Sequence, residues 1–334
     1  MNIKDLAIVT AGLLSDGSHT DKVVYFNNKD LTLIEHFKSS LKRIYNLEDK
    51  RFGGNWKRLK EHDIKRVYFC SKELVQKLTK FSPTFTTKPL HIDNKKIYPD
   101  CKIPNIIVNS TPKIKEEFLR MYASCDGDVE VHIRYITKEK RYDPRGNVCF
   151  IVEHPSLKKQ VFEMLLSLGY SPTLERGRLR LCKKEDIIKY CKKVGFVKGC
   201  KISNSSRRVH FYWHDKNDVL LLLSYIVCFG IPKPLSKVEK SEENKSKIKK
   251  YLSSLLDKIE KGKKLDNLKH KQRRNFLNSK EKKWLLSWKN KQGKFVIYNK
   301  NKFRVTTIKI AELFHEKFGK DIDFTTVHWY WRNR

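Results

Sequence analysis

Two aspartates stand at the same point of two similar stretches. Asp16 closes the run Val9-Thr10-Ala11-Gly12-Leu13-Leu14-Ser15-Asp16-Gly17, and Asp126 closes Leu119-Arg120-Met121-Tyr122-Ala123-Ser124-Cys125-Asp126-Gly127. Each ends a helical pattern and comes just before a strand-like segment. A carboxylate in the last turn of a helix faces the negative end of the helix dipole, which costs about 0.3–1 kcal/mol at a surface. Repeated at matching points of a duplication, that placement points to a cation shared by Asp16 and Asp126. The Gly after each Asp is a residue that ends a helix by tolerating positive φ. Positions 11 and 15, like 121 and 125, are four apart and share one helix face.

The two stretches resemble the signature helix of the LAGLIDADG homing endonucleases, in the two-copy, single-chain form. In that family the signature helices pack face to face. Ala11, Gly12 and Ser15, with Ala123, Ser124 and Cys125, are small enough for such an approach, whereas Met121 and Tyr122 are bulkier than the family's usual Gly and Leu. The resemblance implies that Asp16 and Asp126 meet at the foot of the helix seam, with Gly17 and Gly127 beside them as metal-site positions. Two carboxylates that close repel and push one pKa upward. Mg2+ or Mn2+ would relieve the conflict, because hard divalent ions favour carboxylate oxygens, waters and phosphate oxygens. Such a site activates water for in-line attack on phosphorus, and the implied reaction is phosphodiester hydrolysis.

The elements that must position these residues follow in order. Residues 3–15 form the first signature helix, and His19 to Asn27 a strand. Asp30 to Tyr45 is a helix with Leu31, Ile34, Phe37, Leu41 and Ile44 at 3/4 spacing. Asn55 to Cys70 reads as two strands, and Ser71 caps a short helix. Phe81 to Ile107 has no clear period and is the connector. Thr111-Pro112 opens the second signature helix, with Pro where its missing N–H costs little. Strands follow at 128–135 and Asn147 to Glu153, then a helix from Pro155 to Leu168, a hairpin turning at Arg176-Gly177, and a helix from Lys183 to Val194. The order α-β-β-α-β-β-α therefore occurs twice. Arg208 to His214 reads as a further strand, followed by an apolar helix from Asn217 to Cys228.

The expected fold class is α+β: two pseudo-symmetric αββαββα repeats forming a DNA-binding β-saddle, plus a small all-α tri-helical domain. The expected divisions are 1–82, a connector at 83–110, 111–230, a charged linker at 231–275 around a short amphipathic helix with Ile248, Leu252, Leu255 and Ile259, and 276–334. The last region reads as three helices, at Ser279 to Lys289, Thr306 to Phe318 and Phe324 to the end, with its tryptophans as core. It resembles a helix-turn-helix or Myb-like module whose third helix would face a groove with Thr326, His328 and Arg332.

Composition supports a nucleic-acid partner. Lys and Arg number 72 against 37 acidic residues, a net charge of +35 spread along 334 residues, which suits a polyanion better than a small acidic substrate. Eight cysteines form no CxxC pair and no zinc-like cluster, and read as reduced, mostly buried thiols. Met1 to Ile8 carries charges within a helix pattern rather than a signal peptide, and the longest apolar run, Val219 to Phe229, is too short to span a bilayer. A cytoplasmic protein, nucleoid-associated when bound and without a membrane partner, is expected.

Alternation places polar residues on one face of the strands: Asp128, Glu130, His132 and Arg134; Arg176, Arg178 and Arg180; Arg208, His210, Tyr212 and His214. Arg reaches guanine edges and phosphates bidentately, and His and Tyr contact bases or backbone, so His132, Arg134, Arg176, Arg178, Arg180, Arg208, His210 and Tyr212 are the candidate DNA contacts. A solvated sheet face would show the same alternation. Family members often set a basic residue near the metals, and Lys72 and Lys183, each at the start of a repeat's last helix, hold matching positions.

The function expected from the resemblance is a site-specific double-strand DNA endonuclease. It would act as a monomer on a long asymmetric target, cut one strand with each half and leave short 3′ overhangs. The absence of a terminal nucleophile and of a closing His-Asn argues against a self-splicing intein. Two alternatives stay open: a non-cleaving DNA-binding regulator, as in the WhiA-type layout of a LAGLIDADG-like region followed by a helix-turn-helix, and an RNA maturase assisting intron splicing.

Overall fold

The computed structural model describes residues 2–59, 62–93, 95–202, 211–262, 279–298 and 301–318, together with Val327 and Trp331. The chain forms two bodies, residues 1–263 and 264–334. Among the described residues, no helix is long and apolar enough to cross a membrane.

Two helices lie at the centre of the first body. Helix α1 (Ile3–Ser15) starts at Asn2, whose side chain accepts the Lys4 N–H, and is buried from Asp5 to Leu14. Helix α5 (Pro112–Asp126) opens with Pro in its first turn and buries Phe118, Leu119 and Met121 to Ser124. The two pack along each other, and the pair Lys4–Glu117 joins them at 3.1 Å. A helix apolar nearly all round, as α1 is, belongs in the middle of a fold.

An antiparallel sheet follows each central helix. Strands β1 (Gly17–His19), β2 (Val23–Asn28), β3 (Phe52–Leu59) and β4 (His62–Cys70) are ordered β1-β2-β4-β3. Helices α2 (Leu31–Tyr45) and α3 (Lys72–Thr79) are capped by the side chains of Asp30 and, as expected, Ser71. A connector hairpin, β5 (Leu90–Ile92) and β6 (Lys95–Ile97), and the short helix α4 (Asn105–Val108) lead to α5. Beyond it, β7 (Gly127–Ile136), β8 (Arg141–Ile151), β9 (Thr173–Glu175) and β10 (Arg178–Leu181) are ordered β7-β8-β10-β9, with helices α6 (Pro155–Ser167) and α7 (Lys184–Lys193).

Several elements depart from the sequence reading. The strand expected over His19 to Asn27 divides into β1 and β2, because the Thr20 hydroxyl accepts the N–H of Val23 and turns the chain. Strand β8 begins at Arg141 rather than Asn147. Gly146 permits this, since a Cβ there would lie 2.0 Å from the Glu130 carbonyl oxygen on β7. Of the strand expected at Arg208 to His214, residues 208–210 lie outside the described residues, and Phe211 to His214 is a turn in which Trp213 adopts φ 68°. The turn leads into Asp215, which caps helix α8 (Lys216–Phe229).

The expected charged linker belongs in large part to the first body. Helices α9 (Lys233–Ser236) and α10 (Glu242–Glu260) fill it, and α10 buries Ile248, Leu252, Leu255, Leu256 and Ile259 while packing on α8. The Tyr142 hydroxyl donates to the Ser241 carbonyl at 2.7 Å and accepts the Ser241 N–H at 2.9 Å. The many charges of α10 mark its outer face only.

The second body is not all-α. Between helix Ser279–Ser287 and helix Thr307–Phe318 stands an antiparallel hairpin, Phe295–Tyr298 paired with Asn301–Arg304. The run Phe-Val-Ile-Tyr is made of residue types that fit a pleated, half-buried surface. Leu285, Trp288, Val305, Ile310, Leu313, Phe314, Val327 and Trp331 form the core, and the Trp331 indole donates to the Leu285 carbonyl at 3.0 Å. Trp288 and Trp331 thus serve as core and Trp284 packs against it, as expected. Thr326, His328 and Arg332 lie outside the described residues.

Candidate active site

Asp16 is the C-cap of α1 and Asp126 the last residue of α5, so the packed helices deliver both carboxylates at corresponding ends. Each is followed by a glycine, and neither glycine has positive φ. Gly127 is extended, at φ −133°. What demands glycine is close approach. A Cβ on Gly17 would lie 2.7 Å from the Cα of Leu13, and one on Gly127 would lie 2.6 Å from the carbonyl oxygens of both Ala123 and Cys149. The chain folds straight back from each helix end into its strand, and this fixes where each aspartate sits.

Met121 does not prevent the helices from meeting. Gly12 gives it room: a Cβ there would stand 3.2 Å from Met121 Cε and 2.7 Å from Phe37 Cδ2. Tyr122 turns its hydroxyl to the Ile151 carbonyl, donating at 3.2 Å.

The two carboxyls affect each other. Burial, and then the charge of Asp16, pushes Asp126 up to about 8. Burial also raises Asp16, against the opposing effects of hydrogen bonds from Asn28 and Cys125. The Asn28 amide donates to Asp16 Oδ2 at 2.6 Å. Pairing of Gly17 with Phe26 and of Gly127 with Phe150 puts Val152 at the place of Asn28 in the second sheet, and Val152 is buried and apolar. Among the described residues Asp16 therefore has an amide partner at a position that Val152 fills beside Asp126, and Asp126 also feels the nearby charge of Glu153.

Lys216 and Lys88 are the cations that act most on the pair. Lys216 is 5% exposed. Its ammonium donates to the carbonyls of Ser124 at 2.9 Å and Gly127 at 2.7 Å, oxygens that the end of α5 leaves without helical partners. The Ser124 hydroxyl accepts the Val197 N–H at 2.8 Å, and the Lys216 N–H donates to the Cys200 carbonyl at 2.8 Å. The loop 194–202 and the start of α8 are thus fastened to the end of α5. The same loop reaches α2, where the Lys201 N–H donates to Asp30 at 2.8 Å.

Among the described residues, no three His, Cys, Asp or Glu side chains gather as a metal cage. Two carboxyls whose proton affinity is raised by burial, that of Asp126 further by the charge of Asp16, nevertheless suit a hard divalent ion. Mg2+ in particular binds through one or two carboxylates together with waters and substrate phosphates. The Gly127 carbonyl is already engaged by Lys216. Lys72 and Lys183 are exposed at the start of α3 and the N-cap of α7.

No protein-family profile and no curated protein matches this chain. Solved structures similar to it include the LAGLIDADG meganuclease I-AabMI bound to uncleaved DNA, at 12% identity over 77% of this chain and 98% of that one, with a TM-score of 0.42. A mesophilic variant of the homing endonuclease I-DmoI is 15% identical over 58% and 97%, with a TM-score of 0.38. A lysine-to-alanine mutant of I-SmaMI is 12% identical over 69% and 93%, with a TM-score of 0.41. The likeness is loose, and the functional reading rests on the residues themselves.

The sheet faces carry the candidate contacts. Arg134 on β7 and Arg176 in the β9–β10 turn are exposed. His132, Arg178 and Arg180 are engaged internally. Glu130, buried beneath them, accepts from His132 and from Asn147, each at 3.1 Å, and lies 3.9 Å from Arg178 and 4.0 Å from Arg180. His132 foremost, then Asn147 and the Arg180 charge, hold the Glu130 carboxyl down at about 2. Arg180 also binds Glu175 at 2.9 Å. Tyr212 is exposed in the turn before α8, and Arg208 and His210 lie outside the described residues.

Sequence reading missed Lys216, Lys88 and Asn28, and the polar face of the first sheet. On that face Tyr25, Asn27, Arg66 and Tyr68 adjoin one another. Arg66 donates to Asn27 at 2.6 Å and lies over the Tyr25 ring at 4.8 Å. Lys216 did leave one signal. A lysine in a helix's first turn faces the positive dipole end, so something outside α8 had to hold it there.

Proposed function

We propose that the chain is a site-specific double-strand DNA endonuclease in which Asp16 and Asp126 bind divalent metal at the point of strand scission. The single observation that carries this reading is the pair itself: two carboxylates at adjoining helix ends, both driven towards protonation by burial and Asp126 further by Asp16's charge. A purely structural pair would be costly, because two partly buried carboxylates set close together repel each other.

Asp16 and Asp126, acting as anions, would hold Mg2+ or Mn2+, and the bound metal would supply Lewis-acid stabilisation and an activated water at phosphorus. The chain's own residues then do the remainder. Asn28 keeps the Asp16 carboxylate turned to one orientation through Oδ2. Lys216 locks the end of α5 and adds positive charge beside both aspartates, where a phosphate would arrive. Gly17 and Gly127 let each strand leave the helix without displacing its acid. Lys88 adds a second positive charge near the pair, the role expected of Lys72 and Lys183.

In this reading the two sheets act as pseudo-symmetric halves of a saddle on a long asymmetric duplex. Arg134 and Arg176 on one side, and Arg66 with Tyr25 and Tyr68 on the other, contact phosphates and bases. The second body, with a net positive composition, adds affinity or extends the site, and the protein acts as a monomer. A regulator or an RNA-binding maturase would use the same basic surface without needing the acid pair.

The test works on an unknown target. Purified protein is incubated with total genomic DNA and Mg2+, and new double-strand ends are sequenced. Reproducible ends at one or a few sites support the endonuclease. Salt-sensitive retention of particular fragments with no new ends assigns the protein to DNA binding alone.

A further inference from the structure

The connector carries a feature that the proposed chemistry does not use. Hairpin β5–β6 pairs Leu90 with Ile97, His91 with Lys96 and Ile92 with Lys95. Alternation therefore puts Leu90, Ile92 and Ile97 on one face, and they are 56%, 49% and 47% exposed. Large aliphatic side chains grouped this way on a surface mark a contact site. Lys95, the partner of Ile92, shares that face, Lys88 lies two residues before Leu90, and Lys96 lies with His91 on the opposite face, all three lysines being exposed.

Both roots of the hairpin are fixed beside the aspartates. On the incoming side, the buried ring of Phe85 meets the ring of His19 edge-on at 5.8 Å, and His19 ends the three-residue strand that leaves Asp16. On the outgoing side, Tyr98 meets His154 at 5.1 Å and the Pro99 carbonyl lies 2.8 Å from His154 Nε2. His154 follows Glu153, whose charge reaches Asp126, and Lys88 at the hairpin's base acts on both aspartates. An apolar, lysine-edged ribbon thus projects from the rim of the site.

We infer that this hairpin is a DNA wedge: Leu90, Ile92 and Ile97 press against the base stack of a duplex seated at the aspartates, while Lys88 and Lys95 hold the flanking phosphates. The chemistry matches on both counts. A duplex offers anionic edges and an apolar stack, and aliphatic side chains inserted at base steps kink DNA in other systems. For an enzyme that must bring two phosphates to one pair of acids, a kink at that point narrows the distance to be bridged. The inference rests on the endonuclease reading and adds to it a residue set that meets bases at the cut.

The experiment uses the full chain and a pool of random-sequence 40-base-pair duplexes, with divalent metal omitted. Ile92 is replaced by the photo-crosslinker p-benzoylphenylalanine and, as a control, so is Leu166, an exposed residue of α6. A second variant carries Leu90→Ser, Ile92→Ser and Ile97→Ser, changes at exposed positions that leave the core intact. The wedge predicts crosslinks from position 92 and not from 166, and binding by the triple variant weakened about ten-fold or more. It also predicts permanganate-reactive thymines in duplexes bound by the wild type and their loss with the triple variant. Equal retention by wild type and triple variant without crosslinks from position 92 overturns the wedge while leaving DNA binding in place. A triple variant that changes only from dimer to monomer on sedimentation overturns it too, and gives the face to a second copy of the chain. Failure of the wild type to retain any duplex removes the endonuclease reading itself.

Discussion

The ammonium of Lys216 donates to the carbonyl of Gly127 at 2.7 Å, one residue beyond Asp126. A residue at the start of α8 thereby closes the end of α5 and lends its charge to both half-buried acids.

Replacing Lys216 with Met is expected to destabilise the first body by about 3 kcal/mol, since two buried carbonyls lose a charged donor. Lys216→Arg should recover part of the loss. Urea denaturation of the three proteins measures both. Equal midpoints for wild type and Lys216→Met would mean that the clamp has no energetic role.

The acid pair sets a pH dependence whose sign is fixed by Asp126. Its folded pKa lies above the unfolded value of 3.8, at about 8, so the folded state binds the proton more tightly. The stabilisation is full below about pH 4, declines as pH rises and is gone above about pH 8. Metal-free protein should melt at a lower temperature at pH 9 than at pH 6, and Asp126→Asn should flatten that difference. Added Mg2+ should raise the melting temperature more at pH 9 than at pH 6, because the metal needs the ionised acids. Thermal melts read all three effects.

Glu130 works in the opposite direction. Its folded carboxyl is held at about 2, below the ordinary 4.5, so it stabilises above pH 4.5 and that contribution disappears as pH falls through 2. Glu130→Gln should cost on the order of 3 kcal/mol at pH 7, and the difference from wild type should vanish near pH 2. The same substitution frees Arg178 and Arg180 from their shared partner, so binding to duplex DNA should strengthen at low salt even as stability falls.

Gly12 and Met121 should behave as a matched pair. Gly12→Val forces a side chain into Met121 and Phe37 and should cost about 1–3 kcal/mol. Met121→Ala leaves a cavity in the seam, at about 2–5 kcal/mol. Combined, they should cost less than the sum, which a double-mutant cycle detects.

What could be read from sequence was what is locally encoded. The helices ending at Asp16 and Asp126, the Ser71 cap and the Pro112 start each depend on a few consecutive residues, and all stand in the structure. Lys216 and Asn28 were not legible, because each matters only through contact with a distant or turned-back segment. The glycines after the aspartates are legible as positions, but the reason for them is not. Their need is close backbone approach, which is a tertiary property. The hairpin between helices Ser279–Ser287 and Thr307–Phe318 escapes sequence reading because its strands are only four residues long, whereas the apolar stripe of α10 is legible and only its packing on α8, a tertiary contact, is not.

The central claim is that Asp16 and Asp126 together perform the cut. Asp16→Asn and Asp126→Asn, each checked for an intact thermal transition and for retention of duplex DNA, are incubated with genomic DNA and Mg2+ beside the wild type. The account predicts recurrent double-strand ends with the wild type and none with either variant, DNA retention being kept by all three proteins. Recurrent double-strand ends at the same sites with either variant would contradict it.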